Sequence, residues 1–138
     1  MVAGILILTA VVVLTAVIAL LRRWYDGRFR SPRPTERLDG ADLDDAALGE
    51  RATLVQFSSA FCAPCRATRQ VLDDVTGMVD GVAHVEIDAE SHLDLVRRLD
   101  IRRTPTVVVL DKKGRITSRA SGRPRKADVI AALGDLVT

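Results

Sequence analysis

The sequence lacks several features on which large classes of protein depend. It has only two cysteines in 138 residues, which excludes a small secreted scaffold held together by several disulfide bonds. It contains no internal repeat, so nothing indicates a solenoid or propeller. It also lacks a charge excess after residue 37, where 14 basic and 16 acidic side chains nearly balance. This balance does not favour binding to nucleic acid.

Charge is absent from the beginning of the chain. Val2 to Leu21 contains no charged residue, amide or proline, and a helix of this length would span about 30 Å, the thickness of a bilayer's hydrocarbon core. Trp24 and Tyr25 follow, and such residues are typical of the membrane interface. No basic residue precedes the apolar run and no Ala-x-Ala site closes it, which favours an anchor over a cleaved signal peptide. We therefore predict a transmembrane anchor over residues 1–23.

Basic residues follow this apolar run, and none precedes it. They are Arg22, Arg23, Arg28, Arg30, Arg33 and Arg37. The positive-inside rule then predicts that the rest of the chain lies in the cytoplasm, with the bilayer as a partner of the protein. The alternative is an extracytoplasmic domain. Residues 24–40 have the composition of a charged linker containing glycine and proline.

The remaining residues, 41–138, have the pattern of one α/β domain. The apolar spacing predicts helices at Asp39–Leu48, Ala63–Met78, Leu93–Leu99 and Lys126–Val137. Strands are predicted at Ala52–Phe57, Val82–Ile87, Thr106–Leu110 and Ile116–Ser121. Asp111–Gly114 has the composition of a hairpin turn between the last two strands. This order predicts a central mixed β-sheet flanked by helices.

Both cysteines lie in the motif Cys62-Ala63-Pro64-Cys65, where a predicted strand leads into a predicted helix. The unpaired N–H groups and dipole of a helix N-terminus favour the thiolate form of Cys62, and Cys65 lies one turn further on. Pro64 suits the first helical turn because no N–H donor is needed there. Such a pair can exchange with a substrate disulfide, with Cys62 attacking first and Cys65 releasing the product. The redox group would be the cysteine pair itself, without a metal or bound organic cofactor.

The stretch Ala52–Leu136 resembles thioredoxin. The matching segments, in order, are LVQFSSAFCAPC, VAHVEIDAE, RRTPTVVVLDKKG and SGRPRKADVIAAL. The resemblance implies a thioredoxin-like fold and a monomeric protein disulfide reductase, with protein disulfide substrates and a thioredoxin-reductase-like electron donor. It further implies a cis peptide bond before Pro105 and a substrate groove bordered by Phe61, Ala63, Pro64, Thr104, Pro105 and Gly122.

Two core positions depart from the family pattern. Gln56 stands where the family usually has a buried Asp below the second cysteine, and His84 stands where a Lys partner of that Asp is common. Because glutamine does not titrate, we hypothesise that deprotonation of Cys65 depends on water or on His84. The alternative is that Gln56 is a hydrogen-bonded core amide without a catalytic part.

Two further departures lie beside the groove. Phe61 replaces the usual Trp before the first cysteine, which would keep an apolar cover over the site. Arg103 stands where many relatives have a small residue, and a guanidinium there would lower the pKa of the Cys62 thiol and attract acidic partners. The alternative is that Arg103 is a solvated surface residue.

Two other functions fit parts of the sequence. A zinc site could use the two thiolates with His84 and His92, but the chain lacks a second close-spaced pair of ligands. A redox-inert binding module on the same fold is the other alternative, because a fold does not ensure a function.

Overall fold

The structure is a computed structural model that describes residues 1–31 and 36–137. The helices are α1 (Val2–Tyr25), α2 (Ala63–Met78), α3 (Leu93–Arg98) and α4 (Lys126–Val137), with a 3₁₀ turn at Ala89–Ser91. The strands are β1 (Phe29–Arg30), β2 (Ala52–Ser58), β3 (Val82–Asp88), β4 (Thr106–Asp111) and β5 (Ile116–Ser121). The four predicted strands are confirmed, with ends that differ by at most one residue.

The strands form one mixed sheet in the order β1-β5-β4-β2-β3. β2 and β3 are parallel, because α2 crosses between them, whereas β4 runs antiparallel to both β2 and β5. The predicted hairpin joins β4 to β5, and Gly114 in its turn has a φ of 82°, which glycine adopts at little cost. This arrangement confirms the mixed sheet flanked by helices.

Side chains alternate between the two faces of the sheet, and each face carries its own core. Helices α2 and α4 cover one face, through Leu72, Val75, Val129 and Leu133 packed on Leu54, Val107 and Val109. Helix α3 and the chain before β2 cover the other face, through Leu38, Leu43, Leu95 and Leu99 packed on Val55, Phe57, Val108 and Leu110. The cysteine motif at the start of α2 therefore lies on the face of the sheet that α2 and α4 cover.

Helix α1 has a different environment from the other helices. None of its 24 residues is buried, and its composition is apolar enough to cross a membrane. Trp24 and Tyr25, near its end, are also largely exposed. An apolar helix without a protein core around it matches the predicted anchor in length and position, and a signal sequence would have the same composition.

The prediction that residues 24–40 form a charged linker is wrong for several of the residues described, because they are part of the folded domain. Phe29 and Arg30 form β1 and pair with Ala120 and Arg119 at the edge of the sheet. Leu38 is fully buried and its N–H donates to the Gly114 carbonyl at 2.9 Å. This stretch therefore covers the edge strand β5, which would otherwise expose unpaired backbone groups. Residues 32–35, with Arg33 and the two linker prolines, lie outside the described residues.

The predicted helix over Asp39–Leu48 is also wrong, because this stretch forms turns. The side chains of Asp39 and Asp42 each accept from the other's backbone N–H at 3.1 Å. Asp44 and Asp45 have φ values of 53° and 59°, in the left-handed region. Aspartate side chains compete with the helix for backbone donors, and four of them in seven residues favour turns here.

Asp111 holds the β4–β5 hairpin closed. Its Oδ1 accepts from the backbone N–H groups of Lys113 and Arg115 at 2.8 and 2.9 Å, and its Oδ2 accepts from the Arg115 guanidinium at 2.9 Å. Burial acts to raise the pKa of Asp111, but the donors from Arg115 and Lys113 outweigh it, so the pKa is lowered. The folded state therefore favours the ionised carboxylate.

We expect Asp111→Ala to lower the free energy of unfolding by about 2 kcal/mol at neutral pH, because three donors lose a charged acceptor. A pKa lowered on folding gives stability that is present above the ordinary carboxyl pKa and is lost as pH falls through the folded value. The difference between wild type and Asp111→Ala in urea unfolding should therefore shrink in acid. Asp111→Asn, which keeps one acceptor oxygen, is the matched control. If the stability difference between wild type and Asp111→Ala were as large in acid as at neutral pH, the ionised Asp111 carboxylate would not stabilise the hairpin.

Candidate active site

The two cysteines are joined at the N-terminus of α2. Cys62 and Cys65 form a disulfide with a Cα–Cα distance of 5.2 Å, so the structure is that of the oxidised protein. Cys62 is the N-cap residue, and its Sγ accepts from the backbone N–H of Cys65 at 3.2 Å. Pro64 occupies the first turn of the helix. The sulfur of Cys62 therefore lies where helix N–H groups stabilise negative charge.

The two sulfurs differ in access. Cys65 is 1% exposed, whereas Cys62 is only partly buried and Ala63 and Pro64 are exposed. Phe61 is fully exposed with a φ of 57°. The expectation that Phe61 covers the site is thus wrong, because its ring packs against nothing in the described domain. An apolar ring held in solvent next to the accessible cysteine can instead contact a partner.

The loop before β4 lies beside the cysteine motif. The Thr104–Pro105 peptide bond is cis, as the resemblance implied. Thr104 Oγ1 lies 2.9 Å from Ser59 Oγ, in the turn that leads to Cys62. Gly122, with a φ of 91°, donates its N–H to the Pro105 carbonyl at 2.7 Å. These contacts bring Thr104, Pro105 and Gly122 together with the cysteine motif, where they were predicted to border a groove.

Gln56 lies on the face of β2 that α2 covers, and it is fully buried. Its Nε2 donates to the carbonyl of Cys65 at 2.8 Å and to Ser58 Oγ at 2.9 Å. Its Oε1 lies 3.1 Å from His84 Nε2. Every polar atom of this amide thus has a partner, so its burial needs no catalytic explanation. The hydrogen bond from Gln56 Nε2 nevertheless reaches the backbone carbonyl of Cys65, the predicted resolving cysteine.

His84 connects Gln56 to a third residue. Its Nδ1 lies 2.8 Å from Asp73 Oδ1 on α2, and its side chain is 9% exposed. The Cys65 carbonyl can only accept, so the amide nitrogen of Gln56 must face it and the amide oxygen must face His84. His84 Nε2 therefore carries a proton. The Asp73 carboxylate also accepts, so each ring nitrogen of His84 faces an acceptor oxygen.

Arg103 does not lie free beside the cysteines. Its Nη2 lies 2.6 Å from Oδ1 of Asp26, the residue that follows α1, and both side chains are partly exposed. A guanidinium paired with a carboxylate has less effect on a nearby thiol than an unpaired one. The predicted influence of Arg103 on Cys62 stays a prediction, which a thiol titration of wild type against Arg103→Ala would test.

Neither histidine is shown in a metal site. No group of three or more His, Cys, Asp and Glu side chains suited to a metal ion occurs within residues 1–31 and 36–137. His92 lies 2.8 Å from Asp44 Oδ1 and 2.9 Å from the Asp88 carbonyl. The Asp44 carboxylate and then the Asp88 carbonyl raise the pKa of His92. These contacts give His92 a structural role between two loops.

Sequence reasoning missed several residues that contact the site, including Ser59 beside Thr104. Ser58 and Asp73 complete the hydrogen bonds around Gln56 and His84, and Asp26 pairs with Arg103. Asp73 lies eight residues after Cys65 in α2, two turns along the same helix, so helical spacing could have suggested it. No local signal connects Asp26 with Arg103, because 77 positions separate them.

Comparison with known proteins gives a consistent result. The thioredoxin family profile matches residues 36–135. Thioredoxin from Alicyclobacillus acidocaldarius is 27% identical over 104 residues, covering 75% of this chain and 98% of that protein. Human thioredoxin domain-containing protein 2 is 28% identical over 92 residues, which cover 67% of this chain but 16% of that longer protein. The structure of chloroplastic thioredoxin z superposes with a TM-score of 0.58 at 23% identity, covering 78% of this chain and 97% of that one.

The matched range includes the whole sheet except β1, together with the cysteine motif, the cis-proline loop and Gly122. A disulfide between Cys62 and Cys65 in this setting can pass two electrons to or from a protein partner. The chain therefore belongs to the thioredoxin family and is a thiol–disulfide oxidoreductase that acts on proteins.

Proposed function

We propose that the protein is a membrane-tethered protein disulfide reductase in which Cys62 is the nucleophile and Cys65 is the resolving cysteine. The observation that supports this most directly is the disulfide at the N-terminus of α2, with one accessible and one buried sulfur. An accessible thiol stabilised as a thiolate can attack, and a buried partner one turn away can respond only within the molecule.

The reaction has two exchange steps. The Cys62 thiolate attacks one sulfur of a substrate disulfide, which breaks that bond and forms a mixed disulfide, and the other substrate sulfur leaves as a thiolate that takes up a proton. The Cys65 thiolate then attacks the sulfur of Cys62, and the second substrate thiol is released. The substrate gains two electrons and the Cys62–Cys65 pair loses them. A thioredoxin-reductase-like donor would return the pair to the dithiol.

The substrate would bind beside Cys62 as an extended segment. Thr104 precedes the cis-proline and would offer its backbone to that segment, which is a form of strand addition. Pro105 and Gly122 would shape the groove, with Ala63 and Pro64 on its other side. The exposed ring of Phe61 would contact apolar substrate residues.

The contacts of Gln56 suggest how the second step is controlled. We expect Gln56→Asp to increase the turnover rate several-fold, because a carboxylate below Cys65 can accept its proton, whereas the amide cannot. Gln56→Asn, which has the same length as the aspartate but does not titrate, is the matched control. Reduction of a fluorescent disulfide substrate by each variant, measured at several pH values, gives the comparison.

An aspartate variant no faster than the asparagine variant would show that position 56 has only a structural part. His84→Gln adds an independent check, since it removes the ionisable ring and keeps a hydrogen-bonding group. If His84 takes part in the proton transfer, this variant should flatten the pH dependence of turnover.

The membrane tether is supported by α1, which is exposed and apolar over its length. The arginines after it favour a cytoplasmic domain and therefore a reducing role, and an extracytoplasmic domain acting on exported proteins is the alternative. In intact cells, a thiol reagent that cannot cross membranes should leave Cys62 unlabelled. Labelling would place the domain on the other side.

Reduction of insulin with a dithiol donor tests the activity itself. The full chain in detergent should accelerate the precipitation of insulin chains well above the rate of the donor alone. A rate equal to that of the donor would favour the redox-inert binding module. A monomer in size-exclusion chromatography is the expected oligomeric state.

A further inference from the structure

The end of α1 and the residues of the predicted substrate groove border the same cleft. Arg23 and Asp26 line it, together with Arg123–Lys126, the segment that leads into α4. The groove residues in this cleft are Pro64, Thr104, Pro105 and Gly122. We call this surface the arginine cleft. A substrate segment bound beside Thr104 would therefore also contact side chains of α1 and of the segment before α4.

Backbone contacts fix the end of α1 at this place. The N–H of Gly27 donates to the Ser121 carbonyl at 2.8 Å, and β1 continues the pairing along β5. A Cβ on Gly27 would lie 2.0 Å from the Arg123 carbonyl oxygen, and one on Gly122 would lie 2.1 Å from Asp26 Oδ1. A residue with a side chain would clash at either position, so glycine is required at both. The segment Asp26–Gly27 therefore packs directly against the segment Gly122–Arg123.

The charge of the arginine cleft is strongly positive. Arg23, Arg123 and Arg125 are exposed, and none of them has an ion-pair partner in the part of the chain that the structure describes. Among the described residues that border the cleft, Asp26 is the one acidic residue, and it already lies 2.6 Å from the Arg103 guanidinium. Three guanidinium groups thus remain available to an incoming anion.

We propose that the arginine cleft binds an acidic segment of the protein substrate, next to the substrate cysteine that Cys62 attacks. This inference rests on the proposed function and adds the chemistry of the substrate. Arginine groups bind carboxylates through paired N–H donors, and the Asp26 carboxylate lies 2.6 Å from the Arg103 guanidinium at the edge of the cleft. A peptide fits better than a lipid headgroup, because the cleft includes the groove beside Cys62.

The test uses the full chain in nanodiscs of neutral phosphatidylcholine and two disulfide-containing peptides. The peptides differ only in carrying glutamate or lysine on either side of the disulfide. We expect kcat/KM for the glutamate peptide to be about tenfold higher at low salt, since steering by opposite charges raises the association rate. The ratio should fall as salt screens the charges.

Two variants assign this preference to the cleft. The double variant Arg123→Ser/Arg125→Ser should bring the two peptides to within about threefold of each other, while the lysine peptide reacts no more slowly than with wild type. Arg97→Ser, on the largely exposed face of α3, removes one positive charge from a residue that does not line the cleft and should leave the ratio unchanged.

Equal kcat/KM for the two peptides with wild type would overturn the proposal, and so would a preference that survives the double variant. Loss of binding to phosphatidylserine vesicles in the double variant, with an unchanged peptide preference, would make the cleft a lipid site and also overturn it. If neither peptide is reduced at all, the proposed function itself fails.

Discussion

Replacing Cys62 with serine should reduce disulfide reduction to the rate of the dithiol donor alone. A serine hydroxyl is not ionised at neutral pH and cannot form a mixed disulfide, so the first exchange step has no nucleophile. Cys62 is also the more accessible sulfur and receives the backbone N–H of Cys65 at the helix N-terminus. The insulin assay on the full chain measures this loss.

The control for this result is a variant that keeps the nucleophile. Both Cys62→Ser and Cys65→Ser remove the disulfide, so any loss of stability from the missing cross-link is common to the two. Circular dichroism should show the same fold in both. Residual turnover by Cys62→Ser above the donor rate would mean that Cys65, although 1% exposed, attacks substrates directly, and the assignment of roles would be reversed.

Replacing Cys65 with serine should stop the reaction after its first step and leave the substrate bonded to Cys62. The second step needs a thiolate that attacks Cys62, and the geometry provides only Cys65, whose Cα is 5.2 Å from that of Cys62. We expect close to one equivalent of mixed disulfide per protein molecule, visible by mass spectrometry as an added mass that dithiothreitol removes.

The same experiment in cells would capture physiological partners. Proteins trapped by Cys65→Ser should be absent from the Cys62→Ser control, and the proposed arginine cleft predicts acidic residues near the trapped cysteines. Rapid release of substrate by Cys65→Ser, at the rate of wild type, would contradict a resolving role for Cys65.

Much of the domain could be predicted from the sequence because its signals are local. The apolar runs of β2 and β4, the alternation in β3 and the stripe of α4 each express a period that one element imposes on its residues. The cysteine motif could be placed for the same reason, since it adjoins a strand on one side and a helix on the other. These features depend on neighbours a few positions away.

The features that could not be predicted depend on distant residues. β1 has two residues, too few for any period, and it exists because β5 offers an open edge. The turns at Asp39–Asp45 arise from side chains that bond to backbone groups, although the apolar spacing there resembles a helix. Leu43 is nevertheless buried, so the apolar pattern identified a core contact while its geometry was wrong.

The site shows the same division. The cysteine pair could be predicted from its motif, and Pro105 and Gly122 from the resemblance to thioredoxin, whereas the chain of contacts from Asp73 through His84 to Gln56 required coordinates. The pairing of Arg103 with Asp26 joins the segment after α1 to the groove, although 77 positions separate the two residues in the sequence. A sequence pattern records which residues are present at a site, but not which distant side chain reaches it.

The equilibrium redox titration of the full chain in glutathione buffers tests the central claim most directly. The thiol state of Cys62 and Cys65 can be measured by alkylation and mass spectrometry after equilibration. A reductase requires a single two-electron transition with a midpoint more negative than about −220 mV, below the least reducing estimate of the cytosolic glutathione poise. A mildly oxidising midpoint would contradict a reducing role, and a pair that never interconverts with glutathione would contradict any redox role.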